Sequence, residues 1–150
     1  MPRCNNNNNN NMAYLTVAEM KTYLYEENVD VITRGDDTLV ESAIDTAIAE
    51  AKGYLSGYNK TTIFATTGSS RNALLLTMVK DCAAWHIMKL SNAGIHYEYR
   101  KQVYERAITW LEMVQKGDIL PDLPEVEDDD GVPTRNVIRY GSNDKRSQHY

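Results

Sequence analysis

Cysteine is nearly missing from these 150 residues: only Cys4 and Cys82 occur, and two cysteines give no disulfide framework. Cys82 lies in an apolar segment and Cys4 in a polar leader, so a reducing compartment is the simple reading. Phenylalanine occurs once, against ten tyrosines. Aromatic surface is therefore carried by rings with a polar edge, which suit boundaries that are part apolar and part wet, including protein–protein contacts. No run is apolar over the length of a bilayer. The longest candidate, Arg71–Ser91 (RNALLLTMVKDCAAWHIMKLS), is broken by Lys80, Asp81 and Lys89, so no membrane span is expected. Nothing apolar precedes Met12, which argues against a secretory signal. Positive charge is in deficit, at a net −5, and this argues against a general nucleic-acid binder.

Catalytic and ligand-binding patterns are equally scarce, and the chain reads as a non-enzyme with no cofactor. Cys82 and His86 are four apart on one helix face, and His96 is the further candidate ligand. No second paired motif accompanies them, so they read as a buried thiol and a histidine satisfied at the core edge. Asp81, His86 and a serine lack a nucleophile elbow or an oxyanion-forming turn. Gly53 and Gly57 form no phosphate loop, since no strand precedes them and no Gly-Lys-Ser/Thr follows. The acids at 125–130 lack the alternating spacing and closing glutamate of a calcium loop. Arg34-Gly-Asp36 reads as a turn ahead of a helix rather than an adhesion motif.

What the sequence does contain is helical periodicity. In the segment Arg71–Ser91, residues Leu74, Leu75, Met78, Val79, Cys82, Ala83, Ile87 and Leu90 recur at steps of three and four, widened by Trp85 and His86. This predicts a central helix, capped by Ser69 or Ser70 and stopped at Gly94. Before it, Thr16-Val-Ala-Glu19 is a capping box opening a short helix to about Tyr25. Glu26–Asp37 reads as a polar stretch with an apolar clip of Val29, Val31 and Ile32. Thr38-Leu-Val-Glu41 is a second capping box. The helix it opens, about Leu39–Ser56, places Val40, Ala43, Ile44, Ala47, Ile48, Ala51 and Leu55 on one face, with Glu41, Asp45, Glu50 and Lys52 opposite and Gly57 as the C′ residue. Asn59–Ser70 reads as a loop, extended over Thr61–Thr66, with Ile63 and Phe64 tucked inward. A last helix spans about Tyr97–Lys116, with Val103, Ala107, Ile108, Leu111 and Val114 as its stripe, Tyr104 and Trp110 beside it, and Gly117 as cap.

The expected fold is therefore all-α: a small bundle of about four helices with an extended or disordered C-terminal arm. Residues 1–12, dominated by seven asparagines, form a disordered leader. Residues 13–117 form the helical domain, and 118–150 an acidic linker followed by the arm. In the linker, Leu120–Pro124 is an extended exit and Glu125–Gly131 a solvated spacer. From Thr134 the chain turns basic, with Arg135, Arg139, Lys145 and Arg146, and it embeds Val137, Ile138 and Tyr140. Two readings of this arm stand. It is a plain disordered end, or it orders on another chain, arginines on carboxylates and the apolar residues as anchors.

Taken together, these segments resemble the small helical head–tail connector (adaptor, or head-completion) proteins of tailed bacteriophages, the Mu-like group included. The matching stretches are AYLTVAEMKTYL from Ala13, LVESAIDTAIAEAKGYLSGY over Leu39–Tyr58, the apolar helix, and YERAITWLEMVQKGDILPDLP over Tyr104–Pro124, with GSNDKRSQHY as a looser match. The resemblance implies a structural protein of the virion neck, present in the host cytoplasm during assembly. Such proteins form a ring, usually of twelve copies, between the portal and a tail-side stopper or tail-completion protein. DNA passes through the channel without sequence-specific binding, and no membrane is involved. The resemblance also makes Arg135, Val137, Ile138, Arg139, Tyr140, Lys145 and Arg146 the residues expected to contact the portal or a neighbouring subunit. The rival reading is a small helical regulatory or protein-interaction module. As a DNA regulator it calls for a basic recognition helix, and none of the helices above is strongly basic.

Overall fold

A computed structural model describes residues 13–90 and 97–134 of the chain. Six α-helices and one short 3-10 turn, Gly68–Ser70, account for most of them, and the fold is all-α. The helices are α1 (Val17–Leu24), α2 (Glu26–Thr33), α3 (Asp37–Tyr54), α4 (Lys60–Ala65), α5 (Ala73–Met88) and α6 (Tyr97–Lys116). The asparagine-rich leader, the Gly94 stop, His96 and the basic arm residues Arg135, Val137, Ile138, Arg139, Tyr140, Lys145 and Arg146 lie outside the described residues.

Helix α5 is the organising element. It packs on α3 along one side and on α6 along the other, and α1 and α2 also touch it. Leu75, Val79, Cys82, Ala83 and Ile87 are buried as their spacing predicts, and so is the whole run Asp81–Trp85. Leu74 and Leu90, expected on the same face, are instead about half exposed. The partner stripe on α3 is Val40, Ala43, Ile44, Ala47 and Ala51. Its small side chains let the two backbones come close. Ala107, Leu111 and Val114 close the core from α6.

Two short helices stand where no helix is expected. Glu26–Thr33 is helical, with Val29 fully buried, Ile32 packed against the core and Val31 79% exposed. It follows α1 through Tyr25, whose backbone sits at φ +65°, ψ 121°. A tyrosine there is strained, at a cost of about 1–3 kcal/mol. Lys60–Ala65, expected to be extended, is a helix whose first turn is capped by Asn59, with Asn59 Oδ1 accepting from Thr62 N at 3.1 Å. Burial of Ile63 and packing of Phe64 override the β propensity of the adjoining threonines.

The capping box Thr16–Glu19 is formed in full. Other helix ends differ from expectation. Asp36, not Thr38, caps α3: its carboxylate accepts from Thr38 N (3.0 Å) and Thr38 Oγ1 (2.6 Å). Asp accepts better than Thr at this position and lies two residues upstream, so the helix starts earlier. Likewise α3 stops at Tyr54, and Gly57 does not take a positive φ. Asn72, not Ser69 or Ser70, caps α5 by accepting from Leu75 N at 3.0 Å. At the end of α6 the expectation holds. Gly117 lies at φ +85°, its N–H bonds Val114 O, and Asp118 N bonds Met113 O at 2.9 Å, the pair of bonds of a Schellman cap.

Beyond that cap the chain runs back across the bundle as a strap. Ile119 and Leu123 pack against the core, and Asp122 O accepts from Asn72 Nδ2 at 3.2 Å. Asn59 N then donates to Pro124 O at 2.8 Å, and Val126 N to Gly57 O at 3.3 Å. The acidic run, read from sequence as a solvated spacer, is folded. Antiparallel bridges join Tyr58 to Glu125 and Glu127 to Pro133, and Asp128 N–Val132 O and Thr134 N–Val126 O (2.8 Å each) close a hairpin over 125–134. Its tip is shaped by Asp128, whose carboxylate accepts from Asp130 N and Val132 N, and by Gly131 at φ +73°.

Candidate interaction surface

Three polar clusters tie other helices to α5 or to its N-terminal approach. In the first, Arg71 sits just before α5. It donates to both Glu19 oxygens, at 2.6 and 3.0 Å, and to the carbonyl of Tyr14 at 2.7 Å. The guanidinium holds the Glu19 carboxyl down at about 2. In the second, the Tyr23 hydroxyl of α1 donates to Asp81 of α5. Burial pushes the Asp81 carboxyl up, and burial with that bond pushes the Tyr23 hydroxyl up. The third joins three helices at Glu50 of α3. His86 Nε2 of α5 lies 3.0 Å from Glu50 Oε2, and Tyr104 Oη of α6 donates to Glu50 Oε1 at 2.6 Å. Trp85 stacks on Tyr104 at 5.5 Å and meets Tyr97 at 5.1 Å.

These clusters account for the side chains weighed as catalysts or ligands. His86 is engaged by Glu50, and Cys82 is a buried thiol pushed up to about 12 by desolvation. Asp81 is held by Tyr23. Among the described residues no group of three or more His, Cys, Asp or Glu is placed to hold a metal, and no helix is long and apolar enough to cross a membrane. Glu50, assigned from sequence to the face opposite the core stripe, instead joins α5 and α6 at the edge of the core. On a helical wheel it falls only about 20° from Ala43, seven residues earlier, so the periodicity contained its position at the edge of the core.

The outer surface is where unmatched chemistry collects. Tyr23, Tyr25, Tyr97 and Tyr99 are exposed, whereas Tyr14 and Tyr58 are buried. Tyr23 and Tyr99 are accompanied by cations: Lys80 Nζ lies 5.7 Å from the centre of the Tyr23 ring, and Arg100 Cζ 5.7 Å from that of Tyr99. We call this face, built by α1, α5 and the start of α6, the ledge. Leu120, Val126 and Val132 expose apolar surface on the strap and hairpin. The hairpin also fixes where the basic arm leaves, since Thr134, its last described residue, is bonded back to Val126.

The family model described as Bacteriophage Mu, Gp36 matches residues 14–139 of the chain. No curated protein and no solved structure matches it.

Proposed function

Since the chain belongs to the Bacteriophage Mu Gp36 family, we propose that it is a structural protein of the phage neck. It assembles as a ring, usually of twelve copies, that joins the portal of the capsid to a tail-side stopper or tail-completion protein and leaves a channel for DNA. It is not an enzyme. Its place is the virion neck, with the host cytoplasm as the place of assembly. The observation that carries this reading is the reach of the family match, which covers the helical bundle, the strap, the hairpin and the arm as far as Arg139. The geometry fits: a preformed bundle presents exposed tyrosines at its sides, and the arm leaves from a fixed point. The arm orders on the portal through Arg135, Val137, Ile138, Arg139, Tyr140, Lys145 and Arg146, with its ordering entropy lost at that moment. Ring closure multiplies a low affinity per subunit.

Deletion of residues 135–150 tests this. Helical circular dichroism and the thermal midpoint stay unchanged, and co-sedimentation with the cognate portal is lost. Portal binding that survives the deletion refutes the arm's role. A full-length chain that never binds a portal refutes the neck reading and favours the small interaction module.

A further inference from the structure

Two groups of like charges have no ion-pair partner among the described residues. The first is the hairpin. Glu125, Glu127, Asp128, Asp129 and Asp130 fall in a ten-residue span with no lysine or arginine. None of them forms an ion pair with a described residue. The backbone bonds that close the hairpin hold these like charges together, so their repulsion is not relieved by extension. The second is the ledge. Lys80, Arg100 and Arg106 also form no ion pair with a described residue, in a chain whose net charge is −5. The carboxylate beside them, Asp81, is buried and bonded by Tyr23. Two of the cations rest on the tyrosine faces, and Tyr23 and Tyr99 are 36% and 59% exposed.

The hairpin base and the Tyr99–Arg100 part of the ledge lie toward opposite ends of α6. The base, at Gly57–Tyr58, lies by the last turn of α6, whereas Tyr99 and Arg100 of the ledge lie in its first turn. From Arg100 to Lys116 the helix rises about 24 Å. Tyrosine and arginine on an exposed face are the composition of recognition surfaces, and Val126 and Val132 give the hairpin partly exposed apolar contact of its own. We propose that the acidic hairpin of one copy docks on the Tyr23–Lys80–Tyr99–Arg100 ledge of a second copy. Such a contact joins two different patches of the same chain, so it repeats head to tail and closes a ring when the rotation permits. It rests on the reading of the chain as a self-assembling neck protein and names the surfaces that assemble.

The test uses the full chain and two charge-reversed forms, Lys80→Glu/Arg100→Glu and Glu127→Lys/Asp129→Lys/Asp130→Lys, each checked for native helicity. Sedimentation equilibrium of the wild type shows self-association that weakens as salt rises from about 50 to about 500 mM. Each reversed form alone associates about tenfold more weakly or worse, and an equimolar mixture of the two recovers wild-type association, because each then meets an opposite partner. If the ledge reversal unfolds the chain, Lys80→Gln/Arg100→Gln serves in its place and shows the same weakening. Wild-type association that both reversals leave intact overturns this contact while leaving assembly through another face. A wild type that stays monomeric at every salt concentration also overturns it, and portal binding then decides the neck reading independently.

Discussion

Glu19→Gln removes a single charge while keeping the shape and hydrogen-bonding reach of the capping box. In the native chain the fork of Arg71 grips both Glu19 oxygens, and the carboxyl is held at about 2 against its ordinary 4.5. At about 1.36 kcal/mol per pKa unit, that difference sets a ceiling of about 3 kcal/mol. The Glu19 side chain keeps 31% of its surface exposed. Solvent therefore screens the pair, and about 1–2 kcal/mol is the expected loss. For a domain of this size that lowers Tm by roughly 3–8 °C. The pH dependence has a fixed sign. A carboxyl whose folded pKa is depressed contributes fully above 4.5, and its contribution fades as pH falls toward 2. Thermal melts of both proteins at pH values from about 7 to about 3 should therefore show a gap that narrows on acidification. An unchanged Tm at neutral pH, or a gap that stays constant into acid, refutes the assignment of this ion pair as the clip between α1 and the approach to α5.

Glu50→Ala strands His86 and the Tyr104 hydroxyl at the junction of α3, α5 and α6, and should cost about 2–3 kcal/mol in urea unfolding. A loss below about 0.5 kcal/mol would mean that the junction is held by the Trp85–Tyr104 stack instead. Arg34, the C-cap of α2, sits at φ +57° in the left-handed region. Arg34→Gly should therefore raise stability by about 0.5–1 kcal/mol, and a decrease in the urea midpoint would show that the arginine side chain makes a stabilising contact.

The long helices were legible because each buries one regular stripe. Helix α6 runs over Tyr97–Lys116 as expected, since Gly117 supplies an unambiguous stop. The expectation for α3 is shifted by two residues because Asp36 competes with Thr38 for the same cap. Helices α2 and α4 were illegible for a different reason. At eight and six residues they are too short to repeat a stripe, and they exist because Val29 and Ile63 reach the core. The second half of α5 is buried on nearly all sides, so periodicity cannot single out Asp81, whose place depends on Tyr23 far away in sequence. The hairpin was hidden because backbone bonds close it within 126–134 and anchor its base to Gly57, and charge composition does not register such bonds. The arm proposed to contact the portal lies outside the described residues, and the exposed ledge is foreshadowed only by the excess of tyrosine.

The strap gives the molecule a mechanical order of failure. A pull on the chain beyond Thr134 is met first by the Thr134–Val126 and Asp128–Val132 bonds of the hairpin, and next by Val126–Gly57 and Pro124–Asn59. Only when all four have parted does tension reach Leu123, Ile119 and the end of α6. The hairpin thus acts as a fuse in series with the bundle. Opening it frees residues 126–134 before load reaches the bundle, where Leu111 and Val114 are buried.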